Sequence, residues 1–162
     1  MQALRSILRI CLWMPTPKWA ITLRSAGRFP CLVRSHFSRS SVLCWDGVLK
    51  WKFPRSQLLE QLSRAVGGPV HCCSGGPETV RHLAIVSGGC GSEVAKVAKE
   101  GIDTFITGEG PHWSFGLAEE LGVNVLYAGH YATETFGVKA LARVIEKRFG
   151  IPWVFIDHPT GL

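Results

Sequence analysis

From Arg55 onward, apolar positions fall into two patterns in turn, helically spaced stripes and short apolar runs. Leu58, Leu59, Leu62 and Val66 recur at helical spacing and predict a helix over 57–66 with Ser56 as N-cap, closed by Gly67-Gly68-Pro69. Val70 to Cys73 reads as a short strand ahead of a Gly75-Gly76-Pro77 turn. Leu83 to Ser87 reads as a strand whose first four residues are an unbroken apolar run of the kind found in strands buried on both faces. It leads into Gly88-Gly89-Cys90-Gly91-Ser92 and then into a helix over 93–100 ended by Gly101. The order repeats with a strand at 103–107, a Gly108-Glu109-Gly110-Pro111 turn, a helix over 112–121 and a strand at 124–128. A long helix over 136–149 follows, with Val138, Leu141, Ala142, Ile145 and Phe149 as its apolar stripe, and a last strand is predicted at 153–156. Strands alternating with helices predict an α/β fold: three layers, a mainly parallel sheet, helices on both faces.

Charge divides the chain in two. Residues 1–55 carry ten Lys or Arg and a single acid, Asp46, whereas residues 56–162 carry eight basic and eleven acidic side chains. The isoelectric point near 9.2 therefore belongs to the first part. We divide the chain into a basic N-terminal extension, 1–55, disordered or irregular, and an α/β half-domain, 56–162. The half-domain is mildly acidic, which argues against a nucleic-acid footprint on its folded face, and no nucleic-acid partner is expected. Met1 to Leu43 is rich in Arg and Ser, free of acid and locally amphipathic around Leu4 to Ile10, as in a mitochondrial presequence; an unrelated upstream extension is the other reading. Location is thus expected to be cytoplasmic, or mitochondrial if that address is genuine. No uninterrupted apolar run reaches the roughly 18 residues of a membrane span.

The six cysteines contain no C-x-x-C spacing, and three of them lie in the extension, which argues against a zinc ribbon and against a disulfide framework. Cys72 and Cys73 are expected to point to opposite faces of a strand as small buried thiols.

Candidate chemistry gathers at strand ends. His130 follows the 124–128 strand, and Glu134 lies one helical turn on if the helix begins there, so imidazole and carboxylate project to one side. That is a metal-ligand pair at the carboxyl edge of a parallel sheet, where open α/β folds bind ligands. Glu109 follows the strand at 103–107 and either helps hold a metal or ligand, steadies a ligand from behind, or caps the helix at 112. The glycine-rich loop at 88–92 reaches the same edge, as a tight turn rather than a phosphate loop, since neither Walker nor dinucleotide spacing is present. His112 is expected at the surface, and His71, His82 and His158 are structural.

Ile106-Thr-Gly-Glu109, Ala128-Gly-His-Tyr-Ala-Thr-Glu134, Gly137-Val-Lys-Ala-Leu-Ala142 and Phe155-Ile-Asp157 together resemble the C-terminal half of the Nif-three-like family of dinuclear-metal-centre proteins, also called GTP cyclohydrolase I type 2 homologues. The resemblance runs from about Ser56 to Leu162. It implies that His130 and Glu134 are ligands of a divalent ion (Zn, Mn or Fe), with Glu134 bridging two ions, in a homo-oligomer that acts as a metal-dependent hydrolase on a small, nucleotide-like molecule. The family's site also takes an adjacent histidine pair and an aspartate from an N-terminal half, and no His-His dipeptide occurs in this chain. Metal is therefore expected to bind weakly. The alternative is a non-catalytic oligomerising or partner-binding α/β module.

Overall fold

The computed structural model describes residues 49–160. The expectations for the extension before Leu49, including the presequence and Cys11, Cys31 and Cys44, lie outside the described residues. In chain order the elements are β1 (Leu49–Pro54), α1 (Arg55–Val66), β2 (His71–Ser74), β3 (Thr79–Ile85), a 3-10 turn (Gly91–Glu93), α2 (Val94–Lys99), β4 (Thr104–Thr107), α3 (Trp113–Glu120), β5 (Asn124–Tyr127) and α4 (His130–Phe149).

The strands form one sheet in the order β1-β3-β4-β5-β2. Its three central strands are parallel, and both edges are antiparallel. Register sorts the core into two layers. Ala84, Phe105, Val125 and Cys73 form one row across the sheet, and Ile85, Ile106, Leu126 and Cys72 form the next, on the opposite face. The first row packs with Val94 and Val97 of α2 and Ala118 of α3. The second packs with Leu58 and Leu62 of α1 and Phe136 of α4. The three-layer α/β expectation holds, and the adjacent cysteines fall on opposite faces as free thiols, with burial pushing both up from the usual thiol range.

The antiparallel edges follow from chain lengths. β2 and β3 stand three strand spacings apart, roughly 14 Å, yet only residues 75–78 join them. The link must run nearly straight beneath β5 and β4, too short for a helical crossover. A side chain at Gly76 would meet the Asp103 carbonyl oxygen at 2.6 Å, and one at Gly75 would meet that of Ala118 at the same distance. Asn124, fully buried, ties the link down: its Oδ1 accepts from Gly76 N (3.1 Å) and Arg55 Nη1 (2.8 Å), and its Nδ2 donates to the Pro77 carbonyl (2.8 Å).

Four local expectations are corrected. Leu49–Pro54, placed in the extension, is a strand of the sheet, paired with β3. Helix α1 begins at Arg55 after Pro54 with no side-chain cap, so Ser56 is not its N-cap; the Arg55 guanidinium is held by Asn124 and the Gly76 carbonyl instead. Helix α4 starts at His130 rather than 136, and its stripe is only partly covered, with Val138 and Phe149 exposed. The segment 153–156 joins no sheet among the described residues. It runs back along α4: the Trp153 indole donates to Glu146 (2.9 Å), the Lys139 ammonium sits 4.0 Å from the Phe155 ring centre, and Tyr131 donates to Asp157 (2.9 Å). Between those anchors Val154 and Ile156 face outward, 81% and 82% exposed. Among the described residues no helix is long and apolar enough to cross a membrane.

Candidate metal centre

The parallel ladder continues past the strand ends and builds the site from backbone. Val86 N donates to the Ile106 carbonyl (2.9 Å), Ala128 N to Thr107 (2.8 Å) and Gly129 N to Gly108 (2.9 Å). The Gly88 carbonyl takes Gly108 N (2.9 Å), Glu109 N (3.1 Å) and the Thr107 hydroxyl (3.1 Å). The loops after β3, β4 and β5 are thereby stitched into one rim, as the sequence pattern predicts. Thr133, buried on the first turn of α4, locks the helix to that rim: its hydroxyl accepts from Gly88 N (3.1 Å) and donates to the His130 carbonyl (2.9 Å).

Three predicted site residues meet here. His130, the first residue of α4, lies between two carboxylates: Glu109 Oε1 is 2.8 Å from Nδ1, and Glu134 Oε1 is 3.2 Å from Nε2. The hydrogen bond to Glu109 holds the imidazole above the usual histidine pKa; partial burial opposes that shift and the Glu134 charge adds to it. Glu109 does not cap α3, which has no side-chain cap. His112 is exposed at the start of α3, as expected. His71 lies against Phe115 and Tyr127, and His82 Nδ1 lies 3.1 Å from the Gly101 carbonyl oxygen, both away from the rim.

A metal ion fits one side of this arrangement. Glu134 Oε1 and His130 Nε2, 3.2 Å apart, have the spacing of neighbouring donors around an ion with bonds of roughly 2.1 Å. The space beside them is kept clear by Gly88: a Cβ there would lie 2.8 Å from Glu134 Oε1 and 3.3 Å from His130 Nε2, and its φ of +71° disfavours any side chain. Glu109 is on the other ring nitrogen, so the two carboxylates do not converge on one point. Among the described residues no group of three or more His, Cys, Asp or Glu side chains is arranged to hold a metal ion. The sequence reading missed Gly88 and Thr133. Gly88 appeared only as one of a run of turn glycines, and a buried threonine that joins a helix to a loop has no periodic signature.

The family model described as Duf34/NIF3 (NGG1p interacting factor 3) matches residues 28–161, starting within the basic extension. A "GTP cyclohydrolase 1 type 2 homolog" of Deinococcus radiodurans is 40% identical over 116 residues, 72% of this chain and 44% of the relative. Its namesake in Pyrococcus horikoshii is 49% identical over 87 residues, 54% of this chain and 34% of the relative. Among solved structures, TTHA1606 from Thermus thermophilus superposes with a TM-score of 0.61 at 46% identity, covering 73% of this chain and 49% of that one. The chain spans less than half the length of each of these proteins.

Proposed function

Because the chain belongs to the Duf34/NIF3 family, we propose that it is a divalent-metal-binding protein in which His130 Nε2 and Glu134 supply two of the ion's ligands. The observation that carries this reading is the open space that Gly88 leaves beside those two donors. Imidazole with carboxylate suits zinc, manganese and iron alike. Two protein ligands hold such ions weakly, so a tight site would need further donors from outside the described residues. When bound, a divalent ion makes water a nucleophile near neutral pH and polarises the group it attacks. Hydrolysis of a nucleotide-like molecule is the activity proposed for the completed site, in line with the name the relatives carry. In that chemistry His130 and Glu134 bind and orient, and the loop at Gly88 limits what approaches them.

The test is metal content. In equilibrium dialysis the full-length protein is expected to bind Zn²⁺ or Mn²⁺ weakly, and a His130→Ala variant to bind none. Equal or absent metal in both proteins would sink the reading. A second reading, a non-catalytic oligomerising module, is favoured by one observation, the outward Val154 and Ile156 beside an incompletely covered helix.

A further inference from the structure

We infer that Glu109 is a positioning residue for the proposed metal site: its carboxylate holds the Nδ1 proton of His130 and so presents Nε2 to the ion. The inference rests on the metal reading above and names which atom of the ring does the binding. An ionised carboxylate can only accept hydrogen bonds, so the 2.8 Å contact from Glu109 Oε1 requires the proton on Nδ1. On the other side of the ring Glu134 lies 3.2 Å from Nε2. The shorter contact decides between them: a neutral imidazole keeps its one proton towards Glu109 and turns its lone pair towards Glu134 and the space beside Gly88.

Glu109 can do this because it is itself fixed. Its N–H donates to the Gly88 carbonyl (3.1 Å), and its carbonyl accepts from Gly91 N (3.0 Å). Gly89 lies flush against the pair, where an added Cβ would stand 3.2 Å from Glu109 Oε1 and 3.6 Å from His130 Cε1. The ring is therefore held from behind by Glu109, along one edge by the glycine loop, and at its backbone by the hydroxyl of Thr133. Carboxylate-backed histidines of this kind are stronger and better aimed ligands than free ones.

The test uses full-length protein with ¹⁵N-labelled histidine. In metal-free wild type at alkaline pH, the His130 ring, assigned by its loss in His130→Gln, is expected in the Nδ1–H form; the Nε2–H form overturns the proposal. With Zn²⁺ added, the metal shift is expected at Nε2, and a shift at Nδ1 overturns it equally. A Glu109→Gln variant, whose amide can turn a donor towards the ring, is expected to lose roughly 10- to 100-fold in zinc affinity with an unchanged far-ultraviolet spectrum. Unchanged affinity in that variant counts against the proposal. If the variant does not fold, the wild-type spectra decide. If wild type binds no zinc, the metal reading fails, while the metal-free spectrum still decides whether Glu109 sets the tautomer.

Discussion

His130 interacts with two carboxylates in the folded protein and with none by design in the unfolded chain, so its proton is a stabilising ligand of the fold. The raised pKa gives the sign: the contribution is fully present below the unfolded value of about 6.5 and is lost as pH rises through the higher folded value. In the presence of chelator, the gap in Tm between wild type and His130→Gln is expected to narrow as pH rises above the unfolded value of about 6.5. Partial exposure of all three side chains keeps the gap small. A gap that widens with pH would contradict the geometry. Gly88→Ala is the complementary probe. Its left-handed backbone costs an alanine roughly 1–2 kcal/mol, and the new methyl group pushes Glu134 aside, so chemical denaturation is expected to register a modest loss and dialysis no bound metal. That His130 and Glu134 lie side by side was legible in the sequence because they are four apart on one helix. The role of Glu109 was not, since a carboxylate after a strand serves a helix start, a metal or a neighbouring ring equally well until the ring's position is known.

At the level of elements, the sheet is held by what lies across its two faces. Leu62 on α1 is fully buried in the core cluster that includes Val80, Leu83 and Ile106, so Leu62→Ala is expected to cost about 2–5 kcal/mol in urea unfolding. A loss below about 1 kcal/mol would mean that α1 is only loosely docked. The buried strands β3, β4 and β5 were readable from apolar runs such as Phe105-Ile106 and Val125-Leu126. Strand direction was not: a short apolar run looks the same whichever way its neighbour points. The alternation Leu49-Lys50-Trp51-Lys52-Phe53 carries a strand signal as well, but it sits at the end of the basic stretch and reads as part of it. At 153–156 the same kind of alternation misleads, because α4 rather than a strand supplies the inner partner for Trp153 and Phe155.

At the scale of the molecule, apolar surface is left exposed among the described residues. Ile151, Val154 and Ile156 follow one another along the tail, each more than half exposed, and Val138, Val144 and Phe149 are exposed on the helix it follows. Self-association is the expected result. In sedimentation velocity, wild type is expected to sediment as more than a monomer, and a Val154→Lys, Ile156→Lys double variant to shift towards the monomer with its fold intact; a monomeric wild type would refute it. That the sequence matches less than half of each relative was legible in outline from the missing His-His pair, although the match reaches back to residue 28, where charge had suggested something foreign. The direction of β1 has a consequence of its own. It runs against β3 with Leu49 opposite Leu83 and Pro54 opposite Thr79, so its first residue stands nearer the carboxyl ends of the central strands than its last. Polypeptide spliced ahead of Leu49 is thereby delivered to the end of the sheet where the imidazole sits. A donor-bearing graft attached there starts from the edge strand at the same end of the sheet as His130 and Glu134.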